Sequence, residues 1–322
     1  MKPPLRTLAW GTVTALYFVL TTLGHLAFSL WLVNTRSFSW QGQTVSYSFR
    51  DALPWLLPVL GLGLLVWLVR GAQRDGTRRR AAWVSAYWLL WATGVAAVDR
   101  WLTFSVPEYV HYPQYALLAA LLARTLDPER RRWPVGRLLL LTTLLGALDE
   151  LVQYLWITVS YSQYFDFNDV LVNLLAAALG LMLYYGWRTP PRAPERATQH
   201  AGVRAWGIAA AAGALALALV LTVGSGRVQL TPSQPVPPGG LAVTADGTMR
   251  LFLQRQPGLY DRWHPGHWRP RHWVLGPAHA TAALLLVWLA WLPFAHVGRP
   301  PATGRHPRRY DPAATPQPTT PS

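Results

Sequence analysis

The feature that most limits what this chain can become is a series of apolar runs, each about as long as a bilayer's hydrocarbon core is thick. A helix needs roughly 20 apolar residues to cross that core. Eight such runs are read from the sequence, at about 7–32, 52–69, 83–104, 108–123, 138–158, 166–187, 203–223 and 275–297. They are continuous, with neither the alternation of a half-buried strand nor the polar face of an amphipathic helix. Of 322 residues only 13% are charged and 52% are hydrophobic, whereas a soluble domain carries about a quarter charged. The predicted fold class is therefore all-α, a polytopic membrane helical bundle of about eight transmembrane helices. Run 7–32 follows the basic "MKPPLR", but it is long and lacks a small-residue cleavage site, so it reads as an uncleaved span.

Charge sets the expected orientation. The N-terminus and the segments "RGAQRDGTRRR", "RTLDPERRRWPVGR", "RTPPRAPERATQHAGVR" and "GRPPATGRHPRRY" fall on one side of an eight-span chain. Together they hold 20 of its 29 Lys and Arg residues. By the positive-inside rule that side is the cytoplasm, and both termini lie there. The net charge of +15 is thus a topology signal, and a nucleic-acid partner is not expected. Arginine in place of lysine at all but one basic position points to G+C-rich coding and hence to a bacterial inner membrane. There is no cysteine, which excludes disulfides and thiolate metal sites.

The chain divides into four parts. Residues 1–82 form an N-terminal two-span segment, 83–187 a membrane core, and 188–297 a two-span segment containing an exterior loop at 224–274. Residues 298–322 form a Pro/Thr-rich tail of the composition that stays disordered. The loop carries "LYDRWHPGHWRPRHWVLGP", where Trp263, Trp268 and Trp273 sit beside His264, His267 and His272. An interfacial segment explains it better than a metal site does, because Trp favours the headgroup zone and Arg meets lipid phosphates. His25, His279 and His296 are read as helix or boundary residues without function.

Polar residues inside the core need a different explanation. At 1.5 Å of rise per residue, Asp99, Glu108, His111, Gln114, Asp149, Glu150, Gln153, Asp169 and Asn173 all fall in the outer half of the membrane. Asp166 stands at its exterior edge. The spacings 108/111/114, 150/153 and 166/169/173 each keep to one helix face. An Asp near the centre of a span costs about 2.5–3.5 kcal/mol to insert, so such groups face the bundle interior. His111 is the one nearby base, with Arg100 as a partner from the third span.

The fragments "PEYVHYPQYALLAALLARTL", "GALDELVQ" and "FDFNDVLVNLLAAALGL" resemble the VanZ-like membrane domain. That family's pattern runs Glu-x-x-His-Phe-x-Glu-Tyr, then Gly-x-x-Asp-Glu-x-x-Gln, then Phe-Asp-x-x-Asp-x-x-x-Asn with a later Gly. Position by position the matches are Glu108, His111, Tyr115, Gly146, Asp149, Glu150, Gln153, Phe165, Asp166, Asp169, Asn173 and Gly180. The family's second Glu is Gln114 here, and "SYSQY" replaces the Pro-Gly-Arg turn that precedes the Phe-Asp segment. The resemblance implies a cell-envelope role, the family being named for a protein linked to teicoplanin resistance.

Two readings of the polar layer remain open, an interhelical hydrogen-bonded core and a functional pocket open to the exterior. The pocket in turn has three versions. One binds or shields a lipid-linked envelope precursor, a glycopeptide or another amphiphile in contact with membrane lipid. Another is an intramembrane enzyme with Glu150 as base, His111 as acid, and water or Mg²⁺ or Mn²⁺ held by Asp149, Asp166 and Asp169. A third is a proton-coupled transporter. No cofactor and no fixed metal-ligand set is assigned from the sequence.

Overall fold

The fold is that of a computed structural model. It describes residues 3–34, 36–74, 78–103, 106–130, 133–157, 165–186, 225, 228–229, 242–243, 249–252 and 272–297. Seven α-helices account for most of them: α1 (Pro3–Val33), α2 (Phe49–Arg74), α3 (Arg78–Trp101), α4 (His111–Leu126), α5 (Val135–Val152), α6 (Phe167–Tyr185) and α7 (Pro277–Trp291). A 3-10 turn at Val106–Val110 leads into α4, a π-helical turn at Gln153–Ile157 closes α5, and a second 3-10 turn at Leu292–His296 follows α7.

Helix starts follow local chemistry. Asp166 caps α6, its carboxylate accepting from the Asn168 backbone N–H at 2.8 Å, which satisfies a donor that the first turn leaves unpaired. Pro277 opens α7, where a missing N–H costs nothing.

Four helical segments are long and apolar enough to cross a membrane: Thr7–Trp31, Arg80–Trp101, Phe167–Tyr185 and Pro277–His296. Among the described residues these four meet the length and hydropathy of a span, short of the eight expected. The reasons are visible in the other elements. Helix α4 has 16 residues, about 24 Å at the standard rise, against a hydrocarbon core of about 30 Å. Helix α5 holds Arg137, Asp149 and Glu150 within 18 residues. In α2 the described residues give only a shorter apolar stretch, Gly61–Gly71. The expected span 203–223, most of loop 224–274 and the tail 298–322 lie outside the described residues.

A second correction concerns the all-α class, because the described residues also contain strands. β1 (Arg36–Trp40) and β2 (Gln43–Tyr47) form an antiparallel hairpin between α1 and α2. Gln41 and Gly42 turn it with φ of 49° and 77°, the left-handed pair that a two-residue type I′ turn requires. Three short strands, β3 (Val228–Gln229), β4 (Ala242–Val243) and β5 (Met249–Phe252), form a sheet with β5 in the middle.

Helix α6 is the centre of the bundle. In its most apolar window 78% of residues are buried, against 22% in each of the other three candidate spans. It runs parallel to α4, with His111 beside Asn173 at one end and Asp127 beside Tyr185 at the other. The two backbones approach so closely that a Cβ on Gly180 would lie 2.0 Å from the Ala116 carbonyl oxygen, so only glycine fits there. The outward faces of α1, α2, α3 and α7 are apolar, with Leu20, Trp55, Leu89 and Leu286 each at least 69% exposed. Exposed apolar surface on this scale is compatible with contact to lipid.

The N-terminal ends of α4, α6 and α7 meet the C-terminal ends of α3 and α5. Asn168 ties this end together. Its amide donates to the carbonyls of Leu102 at 3.2 Å and Trp273 at 2.6 Å, and its oxygen accepts from the Leu275 N–H at 3.0 Å. At the opposite end Asp127, Trp133, Tyr184 and Tyr185 form a compact knot.

Candidate functional site

The polar residues gather where α4, α5 and α6 come together, one or two turns in from the end that Asn168 ties. From α4, His111 is buried and its Nδ1 lies 2.8 Å from Asn173 Oδ1 of α6. An amide oxygen only accepts, so Nδ1 carries the proton and Nε2 is left as the basic nitrogen. That Nε2 stands 3.8 Å from Asp169 Oδ2, and Nδ1 is 3.9 Å from Glu150 Oε1. Beside them Asp149, fully buried, accepts from the Tyr115 hydroxyl at 2.5 Å and the Gln153 amide at 3.1 Å, both on Oδ2.

Local sequence explains how these groups reach one point. Asp149 and Glu150 are adjacent in the last turn of α5, and the π turn begins at Gln153. The Gln153 N–H is directed at the carbonyls of both Asp149 and Glu150. Single π turns occur often at functional sites because they re-aim side chains. Gly146, one turn earlier, leaves room for α6: a Cβ there would come within 3.1 Å of Asn173. Asp169 and Asn173 lie four residues apart on one face of α6.

The cluster is rich in unanswered acceptors. Asp149 Oδ1, Glu150 Oε1 and Asp169 Oδ1 are buried without a hydrogen-bond partner, as is the donor Asn173 Nδ2. No Lys or Arg among the described residues forms an ion pair with Asp149, Glu150 or Asp169. Asp169 is the least enclosed of the three residues around His111, its side chain 16% accessible against 5% for Glu150 and 2% for His111.

Of the residues singled out in the sequence, His111, Asp149, Glu150, Gln153, Asp169 and Asn173 are brought together. Asp166 is engaged in capping α6. Glu108 is buried on the 3-10 turn before α4. Gln114 is also buried, and its backbone carbonyl accepts from the Tyr17 hydroxyl of α1 at 3.0 Å. Asp99 receives a hydrogen bond from the Tyr109 hydroxyl. Arg100 is exposed and stands outside the cluster. His264, His267, Trp263 and Trp268 fall outside the described residues. Trp273 instead pairs through its backbone N–H with the Trp101 carbonyl at 2.7 Å.

Two residues acquire a place that the sequence does not reveal. His25 of α1 is buried with its ring centroid 4.8 Å from that of His111, so α1 forms one wall of the site. A lone His in an apolar run carries no signal of such a contact. Asn168 sits between the matched positions Asp166 and Asp169 and reads as an ordinary first-turn residue, yet it joins three chain segments.

An apolar cavity of about 490 Å³ lies near the same end, lined by Val98, Trp101, Leu171, Leu175, Trp273 and Val287 among others. Leu171 and Leu175 are two residues beyond Asp169 and Asn173, about 200° around α6. The cavity therefore occupies the opposite face of α6 from the polar cluster. No family model, curated protein or solved structure matches the chain.

Proposed function

We propose that this is a VanZ-like integral membrane protein of the bacterial cell envelope. In this reading its buried carboxylate–histidine cluster forms a pocket that opens to the exterior and binds or shields an amphiphilic or lipid-linked envelope ligand. The bundle crosses the inner membrane several times, with both termini cytoplasmic. One observation carries the pocket: Asp149, Glu150 and Asp169 present buried oxygens without partners around His111. A cluster kept only for packing would have its acceptors met, because each unmet buried acceptor costs about 1–3 kcal/mol. Intramembrane ionisable groups are retained at that cost where they serve a ligand, an ion or a proton.

The reading is tested with Asp149→Ala and Glu150→Ala variants expressed in cells that lack the native protein, with abundance measured by immunoblot. Both variants are expected to show the glycopeptide or detergent sensitivity of cells without the protein. Wild-type resistance at wild-type abundance contradicts the pocket.

The alternative of an intramembrane enzyme draws on the same geometry. Tautomer and position give His111 a basic Nε2 facing Asp169, an arrangement suited to moving a proton. The two readings separate in Glu150→Gln, which slows turnover with ligand binding kept if the protein is an enzyme and abolishes ligand retention if it is a binder.

A further inference from the structure

We propose that His111, Glu150 and Asp169 hold a divalent first-row metal ion at the junction of α4, α5 and α6. The inference deepens the pocket reading and rests on it only for the place of the site. One ligand atom from each residue falls within 4.8 Å of the other two. Donors bound to a common ion at 2.0–2.4 Å stand no more than about 4–5 Å apart, so the three atoms already lie within the span that one ion bridges.

Three further observations point to a cation. The first is the buried oxygen of Glu150 without a hydrogen-bond partner, a side chain 5% accessible whose Oε1 lies beside the His111 ring, 3.9 Å from Nδ1. The second is the orientation of His111. Its Nδ1–H is engaged by Asn173 Oδ1 at 2.8 Å, which leaves Nε2 free to donate its lone pair on the side where Asp169 Oδ2 stands. Metal-binding histidines are held in this way, the second ring nitrogen fixed by an outer partner. The third is charge. Asp149 adds a third carboxylate, itself held by Tyr115 and Gln153, and no Lys or Arg among the described residues pairs with any of them. Buried charges are either paired or bound to metal, and a divalent ion supplies the missing positive charge.

This set of ligands differs from the Asp149, Asp166 and Asp169 grouping that the sequence suggests, because Asp166 is committed to the cap of α6. One imidazole with two carboxylates suits ions of borderline hardness such as Mn²⁺ or Zn²⁺ better than Mg²⁺ or Ca²⁺, which prefer oxygen alone. Three protein ligands leave coordination positions for water or for an oxygen of the pocket's ligand.

The test uses the full chain purified in detergent, equilibrated with Mn²⁺ or Zn²⁺, freed of excess ion and measured for metal per chain. The wild type is expected to retain about one ion. His111→Ala and Glu150→Gln are expected to lose at least tenfold in affinity while keeping their elution profile, and Asn173→Ala to weaken binding about 10–100-fold. Asp169→Asn, which changes the most accessible ligand by a single atom, serves if either variant fails to fold. A folded wild type without retained ion, or retention unchanged in the ligand variants, overturns the proposal. Outcomes for the pocket stay separate: no ion together with loss of resistance in Glu150→Ala sinks the metal and keeps the pocket. A bound ion with unchanged resistance does the reverse.

Discussion

Helix α4 has a buried carboxylate environment at each end, and the two ends are built on opposite principles. Beyond its C-terminus, Asp127 receives the Trp133 N–H at 2.9 Å and the Tyr185 hydroxyl at 3.1 Å on one carboxylate oxygen, while its carbonyl receives the Tyr184 hydroxyl at 3.1 Å. Arg130 lies 4.3 Å over the Tyr184 ring. Near the N-terminus of α4, about 24 Å away along the helix, three carboxylates crowd His111 and each keeps a buried oxygen without a partner. Asp127 is surrounded by donors that the chain itself supplies, which is how a carboxylate acts as a structural fastener. Around His111, Asp149 has two such donors on Oδ2, yet Asp149, Glu150 and Asp169 each keep a buried oxygen that no donor meets, which is how a site awaiting an external partner is arranged.

The comparison gives distinct expectations for stability. The largest effect is expected at Asp127. Asp127→Ala strands the Trp133 N–H and the Tyr185 hydroxyl in a buried knot and should destabilise the protein by about 2–4 kcal/mol, read as a drop in thermal midpoint in detergent. Gly180→Ala comes next. Its methyl meets the Ala116 backbone, and separating α4 from α6 is expected to cost about 1–3 kcal/mol and to disturb both ends, lowering the midpoint and any ion affinity together. At the other end Tyr115→Phe removes one donor to Asp149 and should cost about 0.6–1.7 kcal/mol, the range of interhelical hydrogen bonds in membranes. Glu150→Gln is expected to leave the midpoint unchanged or raised, since it removes a buried charge without a partner. If Glu150→Gln destabilises as strongly as Asp127→Ala, the two ends are alike and the distinction fails. Arg100→Ala, on the exposed side of α3, is expected to change neither stability nor resistance.

Much of this arrangement was legible in the amino-acid order, and the failures have physical causes. Continuous apolar runs located all seven described helices, because membrane-length segments carry their signal in composition. Among the described residues fewer helices than expected are of membrane length, because α4 is short and α5 is charged; both pack against α6. The hairpin at 36–47 is written as alternating polar and apolar residues, Ser37-Phe38-Ser39-Trp40 and Thr44-Val45-Ser46-Tyr47, around a Gln-Gly turn. That pattern is too short to stand out beside spans of 25 residues. The i, i+3 and i, i+4 spacings placed His111, Glu150, Asp169 and Asn173 on inward faces. Periodicity within one helix says nothing about a neighbour, and so the approach of His25 to His111, the reach of Asn168 and the diversion of Asp166 into a cap were invisible.

The claim on which the rest depends is that the cluster around His111 is open to the outside of the cell while the Asp127 knot is closed. The chain contains no cysteine, so single cysteines can be placed without a background. In intact cells treated with a membrane-impermeant maleimide, Asp169→Cys is predicted to be labelled rapidly and Asp127→Cys to remain unlabelled. Failure of Asp169→Cys to react until the protein is denatured would contradict the account.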